Sequence, residues 1–147
     1  IWQQCGDRNR AEADQCWQHS RFSGQRVDNY IDDVAEAYQW ADVVIARAGA
    51  LTISELAATA SPSALIPLPH AIDDHQTANA KVLSEANAAV LLPQSEATPE
   101  RLATQLVSWI NNPQALAEMG RAAGAIAASE AAQSVADIMQ EVARARG

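Results

Sequence analysis

The chain has 147 residues, the size of one ordinary domain, and its 48% hydrophobic and 19% charged residues predict a packed core and exclude a disordered segment. Acidic residues outnumber basic ones 18 to 10, a net charge of −8, so neither a nucleic-acid partner nor direct membrane contact is expected of this segment. The most apolar stretch, residues 41–50, is broken by Asp42 and Arg47 and falls well short of the roughly 20 residues a transmembrane helix needs.

The chain opens on Ile1-Trp2-Gln3-Gln4, a strand-like start with no Met and no leader, as expected of a segment from within a longer protein. Residues 9–18 read as a helix, Arg26-Val27-Asp28 as a weak strand, and 32–40 as a helix capped by Asp32 or Asp33. Residues 41–46 form a short β-branched run, 47–49 a loop, and 50–60 a helix with Leu51, Leu56 and Ala57 on its apolar side. A second buried run at 63–68 leads through a polar loop at 70–74 to a helix over 76–86, with Ala80 and Leu83 facing the core. Residues 88–92 form a third run. Thr98-Pro99 and Asn112-Pro113 each mark a helix start, a cap followed by proline at the first helical position. Gly120 and Gly124 interrupt the second of these helices, and 131–145 reads as a final amphipathic helix with Val135, Ile138, Met139 and Val142 as its stripe. Short buried runs alternating with helices, without period-2 amphipathicity, predict an α/β fold with a parallel sheet covered on both faces.

Three segments have the chemistry of a binding site. In open parallel sheets ligands bind beyond the carboxyl ends of strands. Val43–Thr52 is such a strand exit: Gly49 lets a ligand approach the backbone, the first N–H groups of the next helix lack intrahelical partners, and Thr52 adds a hydroxyl. The same residues also fit an ordinary tight turn. Glu55, three residues after Thr52, suits either a ribose diol or the reciprocal carboxylate of a capping box. In His70–Asn79, the histidine spacing does not match a metal motif, so no metal site is expected. A loop capped by Asp73 or Asp74 instead leads into a helix whose first turns carry His75, Gln76 and Asn79, groups that fit sugar hydroxyls or simple solvation of a helix start. Cys5 and Cys16 read as two reduced cytosolic thiols. Trp2, Trp17, Trp40 and Trp109 read as packing residues rather than a stacking platform. No nucleophile elbow or Ser-His-Asp arrangement is present in local sequence.

Taken together, Tyr30-Ile31-Asp32-Asp33, Trp40-Ala41-Asp42-Val43-Val44-Ile45, Arg47-Ala48-Gly49-Ala50-Leu51-Thr52-Ile53-Ser54-Glu55 and Pro69-His70-Ala71-Ile72-Asp73-Asp74-His75-Gln76-Thr77-Ala78-Asn79-Ala80 resemble the C-terminal half of the MurG family. These are bacterial UDP-N-acetylglucosamine:lipid I N-acetylglucosaminyltransferases of glycosyltransferase family 28. The resemblance implies a Rossmann-like parallel sheet, the C-terminal half of a GT-B fold, ending in a helical tail. Residues 1–147 would be a partial C-terminal, UDP-N-acetylglucosamine-binding domain, without the N-terminal acceptor domain and the family's Gly-Gly-Ser-type phosphate loop.

By the same resemblance, Ile31 would contact uracil through its backbone, Ala50 and Leu51 would offer backbone groups, and Thr52 its hydroxyl, to the donor. Glu55 would bind the ribose, and His75 and Gln76 the N-acetylglucosamine hydroxyls, with Arg47, Gly49 and Asn79 as further candidates. Where family members commonly have glycine after the donor helix, this chain has Ala60.

The implied reaction is inverting transfer to lipid I, giving lipid II. It needs no cofactor or metal, and its base lies in the other half, so the 147 residues alone are expected to be inactive. The implied location is cytoplasmic, the full-length parent lying peripherally on the cytoplasmic face of the inner membrane. Other readings are a separate donor-binding subunit of a split glycosyltransferase, a relative using another sugar donor, and a non-catalytic α/β interaction module.

Overall fold

The computed structural model describes residues 1–69 and 74–145, with side chains up to residue 129. The backbone divides into two compact units, residues 1–40 and 41–147.

In the first unit, β1 (Trp2–Gln4) and β2 (Arg26–Asp28) pair in parallel, with Gln3 opposite Val27. Between them a 3-10 turn at Asp7–Asn9 leads into α1 (Arg10–Gln18). Side chains hold these elements together. The Trp2 indole N–H donates to Asp28 Oδ2 at 2.7 Å, the Trp17 indole to Gln3 Oε1 at 2.6 Å, and the Arg26 guanidinium lies 3.9 Å over the Trp2 ring. Arg10 chelates Asp14 and donates to the Val27 carbonyl at 3.1 Å, and the Asp14 hydrogen bond, with its charge, raises the pKa of the Arg10 guanidinium above its ordinary value. α2 (Val34–Trp40) starts where Asp33 Oδ1 accepts from the Glu36 N–H at 2.8 Å, which selects Asp33 over Asp32 as the cap. Trp40 packs edge-on against Trp2 at 5.8 Å while remaining 60% exposed.

In the second unit, β3 (Val44–Ala46), β4 (Ser63–Leu65) and β5 (Ala89–Leu91) form a parallel sheet in the order β3-β4-β5. Ile45 faces Ala64, and Ala64 faces Val90. The crossovers are α3 (Ala50–Ala58) and α4 (His75–Ser84). Leu56, Ala57, Leu65, Ala80 and Leu83 form the center of the core. The inner face of α3 is Ile53, Leu56 and Ala57, whereas Leu51, expected on that side, is 73% exposed. At about 100° per residue, Leu51 lies well round the helix from Leu56. α5 (Pro99–Asn111) begins with Thr98 Oγ1 accepting from the Arg101 N–H at 3.2 Å, as its Thr-Pro signal predicts, and carries the buried Trp109.

α6 (Pro113–Ala145) is one continuous helix. The glycines expected to interrupt it instead permit close packing: a Cβ on Gly120 would meet the Ala60 carbonyl oxygen at 2.7 Å, and one on Gly124 the Ala60 methyl at 3.3 Å. The expected stripe of Val135, Ile138, Met139 and Val142 falls on residues whose side chains lie outside the described set.

Ala60, where the helix was expected to continue, is instead its left-handed stop, with φ +52°. The Ser61 N–H reaches back to Leu56 O at 2.9 Å and the Ala60 N–H to Ala57 O at 3.1 Å, a Schellman return. α4 ends in the same way at Asn87, φ +58°, with the Ala88 N–H on Leu83 O at 2.8 Å. Alanine is strained in this conformation. Ala60→Gly is therefore expected to stabilise the chain by about 1 kcal/mol. Gly120→Ala, which drives a methyl onto a backbone oxygen, should destabilise by about 1–3 kcal/mol. Denaturant unfolding of both variants checks the two signs.

Candidate functional site

Within the second unit, β3 and β4 deliver their chain to helix starts, and the predicted residues gather there. α3 begins with Gly49 as N-cap residue, which has no side chain to cap it. The first intrahelical bond is made by the Ile53 N–H to Gly49 O at 3.0 Å, so the N–H groups of Ala50, Leu51 and Thr52 precede the helical ladder at its positive end. Gly49 has φ −65° and ψ 148°, open to any residue, and a Cβ there would meet only Thr52 Oγ1, at 3.7 Å. Neither backbone strain nor packing explains a glycine at this position.

Thr52 and Glu55 are half-buried. Thr52 is the third helical residue, not the cap, so the two do not form the capping box that their spacing permits. Their three-residue separation places both on one side of the helix. Ala50 and Leu51 are exposed, so their backbone is reachable from solvent.

α4 starts at His75, after Asp74 in a left-handed conformation, φ +52°, which makes no side-chain cap. The alternative cap, Asp73, lies outside the described residues, as do His70, Ala71 and Ile72. His75 is exposed and Gln76 half-buried.

Three side chains tie these segments together. The Asn79 Nδ2 donates to the Ala48 carbonyl at 3.1 Å, binding α4 to the loop before α3. Gln76 Oε1 accepts from the Leu68 N–H at 2.9 Å, which leaves its amide NH2 pointing to other duties. Arg47 Nη1 donates to Ile66 O at 3.1 Å, Pro67 O at 3.3 Å and Gln94 Oε1 at 2.8 Å. Arg47 and Asn79 thus have framework bonds that their sequence positions did not reveal.

Ile31 belongs to the first unit. Its N–H donates to Gln4 Oε1 at 3.1 Å, so Gln4, absent from the sequence-based candidates, contacts the backbone predicted to read a base. Gln94 was likewise missed. It is 47 positions from Arg47, and no local pattern joins them.

Among the described residues, no group of three or more His, Cys, Asp or Glu side chains is placed to hold a metal ion. Cys5 and Cys16 are both free thiols. Among the same residues no helix is long and apolar enough to cross a membrane.

Parallel strands joined by crossover helices that start at the strands' carboxyl ends define a Rossmann-like domain, here the C-terminal half of a GT-B glycosyltransferase fold. The chain belongs to the family described as glycosyltransferase family 28 C-terminal domain, whose model matches residues 1–142. It is 47% identical over 145 residues to a Shewanella denitrificans protein, covering 98% of this chain and 40% of that one. It is 46% identical over 149 residues to one from Colwellia psychrerythraea, covering 100% of this chain and 38% of the relative. Both relatives are named UDP-N-acetylglucosamine--N-acetylmuramyl-(pentapeptide) pyrophosphoryl-undecaprenol N-acetylglucosamine transferase. The crystal structure of Acinetobacter baumannii MurG superposes with a TM-score of 0.81 at 39% identity, covering 96% of this chain and 42% of that one. The glycosyltransferase VinC, at 19% identity and a TM-score of 0.64 over 90% of this chain and 33% of its own, shares the fold. The chain thus spans about two-fifths of the length of the curated relatives it matches.

The Asn79 tie yields a direct test. Ala48 is fully buried, and its carbonyl is paired by Asn79. Asn79→Leu should destabilise the chain by about 1–3 kcal/mol, the cost of a buried acceptor left without its donor, measured by denaturant unfolding.

Proposed function

We propose that this chain is the donor-binding part of an inverting glycosyltransferase that moves N-acetylglucosamine from UDP-N-acetylglucosamine to lipid I, forming lipid II in peptidoglycan synthesis. The observation that carries this reading is the start of α3: a glycine that its backbone does not require, at an N-cap position that offers no capping side chain of its own, with Thr52 and Glu55 on one face.

Each group has a task. The N–H groups of Ala50, Leu51 and Thr52, with the Thr52 hydroxyl, stabilise the diphosphate as negative charge develops on it. Glu55 accepts hydrogen bonds from the ribose hydroxyls, and the Ile31 backbone reads uracil. At the start of α4, His75 and the amide NH2 of Gln76 meet the sugar hydroxyls. The acceptor hydroxyl of lipid I attacks the anomeric carbon as its bond to the diphosphate oxygen breaks, inverting the center and releasing UDP. The hydroxyl proton passes to a base outside this chain, and no residue here is assigned a catalytic role. Backbone donors and a hydroxyl hold the leaving group, so this reading uses no metal or cofactor. It places the chain in the cytoplasm, with lipid I reached on the inner membrane's cytoplasmic face by residues outside this segment.

Amide NMR with added UDP-N-acetylglucosamine tests the reading. The amides of Ile31, Ala50, Leu51, Thr52, Glu55, His75 and Gln76 should shift selectively, with UDP-glucose weaker. Dispersed peaks that do not move would overturn it. Gly49→Ala should keep the fold, since its methyl meets nothing closer than 3.7 Å. It should weaken donor binding roughly tenfold by occupying the approach to the helix start.

A further inference from the structure

Gln94 opens the short 3-10 turn Gln94–Glu96 that follows β5, and it is exposed to solvent. Its carboxamide oxygen takes the shortest of the three bonds made by Arg47 Nη1, 2.8 Å against 3.1 Å to Ile66 O and 3.3 Å to Pro67 O. Arg47 follows β3, Ile66 and Pro67 follow β4, and Gln94 follows β5. One terminal nitrogen therefore spans the exits of three adjacent strands.

That nitrogen carries only two hydrogens. Its three acceptors therefore share two hydrogens, and Gln94 lies nearest of the three. The Ile66 and Pro67 carbonyls sit on a single strand exit, so by themselves they hold the guanidinium along one edge and leave it free to pivot. Gln94 supplies the third point, through a charge-assisted bond, and fixes the angle.

The angle matters because of what lies on either side. Arg47 leads through Ala48 into Gly49 and the start of α3. Pro67 precedes Leu68, whose N–H is held by Gln76 at the start of α4. We propose that Gln94 is a positioning residue that acts through Arg47 to set the separation between the α3 and α4 helix starts. This rests on the donor-binding reading above. A ligand that engages both helix starts, a nucleoside diphosphate at α3 and its sugar at α4, depends on that separation. A ligand with the nucleotide end alone does not.

The test compares UDP with UDP-N-acetylglucosamine on the wild-type chain and on Gln94→Leu and Gln94→Glu, by titration calorimetry. Leucine removes the acceptor, whereas glutamate keeps an acceptor facing the guanidinium. In Gln94→Leu the Kd for UDP should stay within about twofold while the Kd for UDP-N-acetylglucosamine rises roughly three- to tenfold, part of the worth of one hydrogen bond to a charged group. Gln94→Glu should keep the wild-type ratio of the two constants. A merely structural role would weaken both ligands together. Equal losses for both ligands, an unchanged ratio in Gln94→Leu, or a Gln94→Glu that falls as far as leucine would each overturn the positioning role while leaving the donor reading intact. A wild-type chain that binds neither ligand overturns the donor reading and this inference with it.

Discussion

Parallel pairing in the second unit means that β3, β4 and β5 all run the same way, so the chain leaves every strand at one edge of the sheet. Helices that follow parallel strands therefore start at that edge, and α3 and α4 present their positive ends side by side. The consequence is electrostatic: two helix N-termini with short polar side chains lie at the edge where the chain leaves the sheet. An anionic ligand with hydroxyls suits such an edge better than a cation or an apolar one.

That arrangement would be loose if it relied on the strands alone, each only three residues long. Side chains crossing from one strand exit to the next supply the stiffness. Asn79 holds the Ala48 carbonyl, Gln76 the Leu68 N–H, and Arg47 the exits of β4 and β5. All but the Arg47–Gln94 bond satisfy a backbone group. The residues that order the edge are thus of the same polar types as those proposed for ligand contact, and Gln76 uses only its carboxamide oxygen for the Leu68 N–H.

Much of this was legible in the sequence because its signals are local. Thr98-Pro99 marks a helix start through two adjacent residues, and Asp33 caps α2 through a bond three residues long. The β-branched run before Arg47 and the buried run beginning at Ser63 gave strands within a few residues of their ends. What could not be read depends on distant partners. Leu51 was assigned to the core because it is apolar, yet only the sheet decides which side of α3 is inside. Gly120 and Gly124 look like breaks until the Ala60 turn is found against them. Gln94 carries no motif at all. It matters only because β5 ends beside β4, which is a property of the strand order. The assignment of Glu55 moved the other way: its spacing from Thr52 left two readings open, and the position of the helix start removed one.

The turn at Ala60 bears on the order in which the chain acquires its structure. A glycine there would end α3 by local preference as soon as the helix formed. Alanine favours continuing the helix, so the stop at Thr59 is imposed from outside, by the close approach of α6 at Gly120 and Gly124. A peptide carrying α3 and its return turn without α6 lacks that contact, and the local stop signal left to it is Pro62, which disfavours a helical Ser61. The turn that leads into β4 is thus braced by a helix from late in the chain. A contact between segments this distant in sequence is one that forms at the cost of closing a long loop, so this helix boundary depends on a non-local partner.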